Sequence, residues 1–310
     1  MTQITAPDGT PISPLCFGAM QFGGKADPAT SRAMYDACRA AGVTFFDTAF
    51  AYTDGASETL LGEFIRTERD GLTIATKASY TGGAGRESIL SSVETSRKRL
   101  GIDVIDVLYM HRWDDDTPLE ETFETLTGLR DAGTIRHAAV SNYAAWQVMK
   151  AQAVAATYGL KITMMQPMYN LVKRQVEVEI LPMAMDQGIA VVPYSPLGGG
   201  LLTGKYATGG EGRLTHDSRY AARYGPKWMH EAAGELARLA AETGMEPATL
   251  AVAWAARHPA VTAPIVSAQS VEQLAPSLAA MAVSLDDDLY ARITSLSPTP
   301  APATDRLEEA

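Results

Sequence analysis

A short apolar run followed by a stretch with helical spacing recurs along this chain, and few architectures accommodate that repeat. Apolar runs fall at residues 15–18, 45–47, 72–77, 104–109, 135–140, 162–166, 189–194 and 262–266. Helical stretches lie between them at 29–41, 58–66, 87–100, 119–131, 144–158 and 175–187. Most intervals are about 30 residues, the length of one strand–helix unit. Strands that alternate with helices argue for a parallel sheet. Eight such units in 310 residues favour closure into an α/β (β/α)8 TIM barrel over an open sheet. Glycines at 42, 101 and 133 end helices just ahead of the next apolar run. Residues 4–13 read as a short N-terminal hairpin around Asp8-Gly9, placed to plug the barrel's N-terminal end. The segment 205–227, after the seventh strand, has no periodicity and the length of a functional loop. A single domain over 1–310 is expected, with a loosely held proline-rich tail after 297.

Composition narrows the partners. Lys and Arg number 26 against 36 Asp and Glu, a net charge of −10. Without a basic run, nucleic acid and anionic membrane are not expected as main partners. Two cysteines, Cys16 and Cys38, make no disulfide framework and lack zinc spacing. They suit a reducing cytoplasm, and the first eleven residues do not read as a secretory signal. The apolar stretch at 248–256 is too short to span a bilayer.

In a barrel the chemistry lies just past the C-terminal ends of the strands. Each of those positions here carries a polar group. The second strand ends in Asp47, with Tyr52 five residues on. The third ends in Thr76-Lys77, the fourth runs into His111-Arg112-Trp113, and the fifth into Ser141-Asn142-Tyr143. The sixth ends in Gln166 and the seventh in Tyr194-Ser195-Pro196-Leu197. Each has a structural reading by itself: Asp47 as a turn cap, Lys77 as a snorkelling side chain, His111 and Tyr52 as packing residues. Their recurrence in phase with the strands favours a site, because buried polar groups are costly. A lysine ammonium beside a tyrosine favours the phenolate and lowers its pKa. Asp47 would hold Lys77, and His111 would orient a substrate oxygen near Tyr52. The result is an acid for an oxygen that becomes an alkoxide. With no metal-ligand cluster, an organic hydride donor is the natural electron source.

Taken in order from about residue 15 to 285, these motifs strongly resemble the aldo-keto reductases. The resemblance is to the branch with bacterial sugar-aldehyde and pyridoxal reductases and potassium-channel β subunits. It implies reduction of an aldehyde, ketone or sugar carbonyl by NADP(H), bound extended on a barrel with no Rossmann domain. By resemblance Tyr52 is the proton donor, supported by Asp47, Lys77 and His111. Ser141, Asn142 and Gln166 would bond the carboxamide, and Tyr194 would stack on the nicotinamide. Gly18, Ala19, Met20 and Asp47 would border the cofactor; Ser195, Leu197, Gly198, Gly200 and Leu201 would follow its pyrophosphate. Ser267, Gln269 and Gln273 would stand at its adenine end. Phe22, Tyr80 and Trp113, with Tyr224 or Trp228, are candidates for the substrate wall. A regulatory module with slow chemistry, as in channel β subunits, is the alternative.

The adenine end departs from the family pattern. No Lys or Arg occurs between Arg257 and Arg292, whereas a 2′-phosphate calls for a cationic fork. NAD(H) is therefore admissible, unless Lys205, Arg213, Arg219 or Arg223 supplies the charge. The run Gly199 to Lys205 fits the first half of a P-loop, but Tyr206 stands where that motif requires Ser or Thr. A glycine run along a pyrophosphate explains it better.

Overall fold

The computed structural model describes residues 4–306 and Glu308. Its eight strands are β1 Cys16–Gly18, β2 Phe45–Asp47, β3 Thr73–Ala78, β4 Ile105–Met110, β5 Ile135–Ser141, β6 Ile162–Gln166, β7 Ala190–Val191 and β8 Ile265–Val266. All pair in parallel, in the order β7-β6-β5-β4-β3-β2-β1-β8. The sheet curls until its edges meet. Bridges join Val191 to Val261 and Tyr194 to Ile265, and the Thr262 and Ile265 amides donate to the Val191 and Pro193 carbonyls at 2.8 Å each. This curled parallel sheet with helices on its outside is consistent with a (β/α)8 fold.

The helices are α1 Pro28–Ala40, α2 Ala56–Ile65, α3 Arg86–Leu100, α4 Leu119–Asp131, α5 Ala145–Thr157, α6 Ile180–Gln187, α7 Arg213–His216, α8 Ser218–Arg223, α9 Lys227–Thr243, α10 Pro247–Arg257, α11 Val271–Ala279 and α12 Asp287–Thr294. Local chemistry starts and stops them. Asp27 caps α1 by accepting the Thr30 amide at 2.7 Å, and Pro28 holds the first helical position. Gly101 ends α3 at φ 64° and returns the chain to β4.

Strand alternation splits the core into two layers. Cys16, Phe45, Ala75, Val107, Tyr109, Ala139 and Met164 face inward, where Ile4 and Ile12 of the N-terminal segment also pack. That segment carries one antiparallel bridge, Thr5 to Pro11. The neighbours Phe17, Phe46, Ile74 and Leu108 face the helices. The two shortest strands are shorter than their apolar runs predict. Pro193 and Pro264 lack the N–H that a longer ladder needs. The stretch 175–187 is likewise not one helix: a 3-10 turn, Gln175–Glu177, precedes α6. The segment 205–227 holds α7, α8 and a short 3-10 turn. Residues 307, 309 and 310 of the expected loose tail lie outside the described residues. Among the described residues no helix is long and apolar enough to cross a membrane, and no three His, Cys, Asp or Glu gather as a metal site.

Candidate active site

β2 and β3 end side by side, so Asp47 and Lys77 emerge as neighbours at one rim. The Lys77 ammonium, on a fully buried stem, donates to Asp47 Oδ2 at 2.5 Å and to the Thr48 carbonyl at 2.8 Å. Its third contact is Tyr52 Oη at 3.3 Å. Tyr52 opens the 3-10 turn Tyr52–Gly55 ahead of α2. From across the curl, Gln166 at the end of β6 donates to Asp47 Oδ1 at 2.9 Å. Both oxygens of a buried carboxylate are thus satisfied. His111 follows β4, its ring centroid 5.8 Å from that of Tyr52. The four residues that the sequence singled out for chemistry converge at one rim.

The electrostatics differ from the sequence expectation in one respect. Burial pushes the Tyr52 phenol above its ordinary value, and the pull of Lys77 in the other direction does not overcome it. Asp47 and Tyr220 add to the rise. Tyr52 is therefore a phenol that keeps its proton, not an unusually acidic one. Burial acts to lower Lys77, but Asp47 and Tyr52 outweigh it and hold the ammonium charged. Burial, with Lys77 and Arg112 nearby, depresses His111 to about 3. Its ring is neutral at pH 7, and Nδ1 is buried without a partner among the described residues. Such an orphan costs about 1–3 kcal/mol unless a ligand satisfies it.

A second group lies beside the first. Ser141 Oγ donates to the Gln166 carbonyl at 3.0 Å. The Asn142 amide donates to the His111 carbonyl at 2.9 Å and accepts from Tyr194 Oη at 2.8 Å. Asn142 and Ser195 hold left-handed φ of 59° and 62°, a strain that clusters at functional sites. Gly18 closes the patch; a Cβ there would meet Ile265 Cγ2 at 2.8 Å. The Ala19 amide ties that end to the Asp47 carbonyl at 2.8 Å. Beyond Ser195 and Leu197, the consecutive glycines Gly198, Gly199 and Gly200 have φ of 56°, 66° and 94°, with Leu201 buried behind them. These left-handed residues form a tight turn in which the Gly198 and Gly200 amides donate to the Ser195 and Leu197 carbonyls at 2.9 and 3.0 Å.

The sequence profile of the Aldo/keto reductase family matches residues 14–298. The chain belongs to the aldo/keto reductase family. This aldo/keto reductase is 34% identical over 295 residues to a probable voltage-gated potassium channel subunit beta of Oryza sativa subsp. japonica, covering 89% of each chain. It is 32% identical to the uncharacterized oxidoreductase YrpG of Bacillus subtilis (strain 168), over 96% of this chain and 95% of that one. With aflatoxin B1 aldehyde reductase member 2 of Rattus norvegicus it shares 38% identity over 65% of this chain and 57% of the relative. Membership supports an oxidoreductase acting on carbonyl compounds. Aldo/keto reductases generally use nicotinamide cofactors. The amide and hydroxyl groups of Ser141, Asn142 and Gln166 and the unpartnered buried Ser267 Oγ fit such a group.

Not every expected residue reaches the mouth. Phe22 does not: it is fully buried, its ring 5.4 Å from Phe17 and 5.8 Å from Phe64. Its carbonyl accepts from Thr53 Oγ1 at 2.8 Å, and the ring belongs to the core. Tyr224 is also fully buried. Met20 is partly exposed. Tyr80, 45% exposed, lies tilted against His111 with ring centroids 4.8 Å apart, while Trp113 leans on Tyr143 at 5.2 Å. At the far end Ser270 caps α11 on the Gln273 amide, and Gln273 Oε1 accepts the Gln269 amide.

Sequence reasoning missed the support behind the rim. Glu58 is fully buried, accepts from Thr76 Oγ1 at 2.6 Å and pairs with Arg99 at 3.2 Å. Arg99 also donates to the Phe50 carbonyl at 3.0 Å, gripping the loop two residues before Tyr52. Glu58 in the first turn of a helix reads as an ordinary dipole complement. Its partner is 41 residues away, and no local pattern announces it.

Proposed function

We propose that one closed barrel domain over 1–310 reduces an aldehyde or ketone to the alcohol, with Tyr52 as proton donor. A bound nicotinamide cofactor would supply the hydride. Ser141, Asn142 and Gln166 would hold its carboxamide, Tyr194 would cover its ring, and Gly18, Ala19, Met20 and Asp47 would line its bed. Ser195, Leu197, Gly198, Gly200 and Leu201 would follow the pyrophosphate; Ser267, Gln269 and Gln273 would meet the adenine end. Tyr80 and Trp113 would wall the substrate.

The contact of Tyr52 Oη with Lys77 Nζ, itself fixed on Asp47, carries this reading. A neutral His111 donates to the carbonyl oxygen and holds it beside Tyr52. The phenol then passes its proton to that oxygen, since an alkoxide is a stronger base than a phenolate. The Lys77 ammonium stabilises the phenolate left behind, at the moment its charge develops. An alcohol leaves, and solvent restores the proton.

Tyr52→Phe is expected to lower kcat for a simple aldehyde by at least about a hundredfold, with cofactor affinity nearly unchanged. Near-normal turnover in that variant would remove Tyr52 from the role. The same assay run with both cofactors tests the adenine end. Without a cation among Gln269, Ser270 and Gln273, NADPH is preferred over NADH by less than about a thousandfold, roughly 4 kcal/mol. A greater preference would assign the 2′-phosphate to Lys205 and Arg213 instead.

A further inference from the structure

Among the described residues, four cations are partly buried with no acidic partner: Lys173, Lys205, Arg213 and Arg223. All four lie beyond the C-terminal ends of β6 and β7, in a chain whose net charge is −10. They fall into two like-charged couples. Lys205 sits by Arg213, and Lys173 by Arg223, and each lysine is lowered by burial and then by its arginine. Each of the four lies over a tyrosine ring, Lys173 over Tyr224 at 5.9 Å, Lys205 over Tyr206 at 5.0 Å, and Arg213 and Arg223 over Tyr220 at 5.2 and 5.1 Å. Charge of one sign without an anion, partly withdrawn from water, still marks a place for the opposite sign. Lys205 packs against Gly200, so the first couple belongs to the site already described. The second does not.

Lys173 lines a cavity of about 650 Å³ between the loops after β5 and β6, the start of α9 and the segment after α12. Its walls are mostly apolar, with Met168, Leu171, Ile180, Trp228, Pro298 and Pro300, and Gln175 and Thr299 add neutral polar groups. No aspartate or glutamate lines it, and its other cation, Arg174, is neutralised by Glu177 at 2.8 Å. The wall is fixed in place. Arg174, itself buried, donates to the Thr294 carbonyl at 3.1 Å and to Ser297 Oγ at 3.2 Å, which seats the proline segment. Trp228 stands 36% exposed at the rim. Tyr52, Lys77 and His111 take no part, although Tyr194 and Asn142 wall both spaces. The volume is that of a small-molecule site, apolar with one charged group to set orientation.

We propose that this cavity binds a small molecule with a flat or extended apolar body and a single carboxylate, the carboxylate meeting Lys173. The apolar body lies between Trp228 and the proline segment. The site adjoins the candidate active site at Tyr194 and Asn142, but the proposal does not depend on the reductase reading and is tested without turnover.

The probe is 2-naphthoate, with neutral 2-naphthamide as its match, titrated calorimetrically into the full chain at pH 7. One naphthoate is expected to bind per chain, at least about tenfold tighter than the amide, a difference of roughly 1.4 kcal/mol. Lys173→Gln is expected to erase that difference by weakening only the acid. Trp228→Ala is expected to weaken both compounds, and Tyr80→Ala, at the other mouth, neither. The acid–amide contrast needs only the wild-type chain, so it stands even if a variant folds poorly. The site is overturned if nothing binds up to about 5 mM, if acid and amide bind alike, or if Tyr80→Ala rather than Lys173→Gln abolishes binding.

Discussion

His111 is neutral because of where it sits: burial, then Lys77 and Arg112, hold its pKa at about 3. Burial holds the Tyr52 phenol above its usual 10.0. Neither group changes charge between about pH 5 and pH 9, so log kcat for reduction should be flat there. A limb with a midpoint near the ordinary histidine value would contradict this. Stability behaves differently. Between about 6.5 and 3 the unfolded chain takes up a proton on His111 that the folded chain refuses. Unfolding free energy therefore falls as pH drops through that window, by about 1.4 kcal/mol for each unit of difference between the two states. His137 and His258, also lowered by burial, add in the same direction. Urea unfolding of His111→Gln against pH should show a shallower decline than wild type; parallel curves would count against it. Asp47, Tyr52, Lys77 and His111 were legible because each polar group follows an apolar run. The depth of Tyr52 was not, since burial is a property of neighbours such as His111 that come from other strands. Phe22 misled for a related reason: its place on a loop gives no sign of Phe17 and Phe64, the rings it packs against.

Between α2 and α3 an ion pair, its carboxylate fully buried, holds the loop that carries Tyr52. Arg99 joins Glu58 to the Phe50 carbonyl, and its guanidinium lies 4.8 Å over the Phe50 ring. Gly55, at φ 93°, leaves room for that guanidinium where a Cβ would collide with it. Arg99→Met strands the buried carboxylate and should cost about 3–5 kcal/mol. Because Phe50 precedes Tyr52 by two residues, kcat should fall while cofactor affinity holds, and Arg99→Lys should recover part of both losses. Unchanged kcat in the folded Arg99→Met chain would make the pair purely structural. At this scale the positions of the eight strands and of α1 to α5 were readable from spacing, whereas α6 and the helices after it were not. Strand ends at β7 and β8 were not, because hydropathy does not register the missing amides of Pro193 and Pro264.

Across the whole molecule the two ends of the sheet divide the work. The C-terminal end holds the strained backbone and the orphaned polar atoms of the candidate site. The opposite end is held by Asp106, fully buried, which accepts from Arg69 at 2.8 Å, Arg136 at 3.0 Å and the Ile74 amide at 2.7 Å. Arg136 also reaches the Thr5 carbonyl at 2.6 Å and so ties on the N-terminal segment. Asp106→Ala should lower stability by about 3–5 kcal/mol and leave the aldehyde KM of the folded fraction as it was. A changed KM would show that the two ends are coupled. The eightfold repeat was visible in the sequence, and so was the face that would carry chemistry. The Asp106 cluster was not, because an aspartate inside an apolar strand gives no sign of the two arginines that neutralise it.

The meeting of β7 and β8 has its own consequence. Elsewhere adjacent staves share ladders of up to five paired positions, whereas this joint rests on two isolated bridges and two prolines. A closed ring yields first at its thinnest weld. Deuterium should therefore enter the amides of Thr262 and Ile265 sooner than those of β4 and β5, and slower exchange there would mean that the ring opens elsewhere. The long excursion after β7 springs from this same joint, so motion there would reach Tyr194 before it reached any other part of the rim.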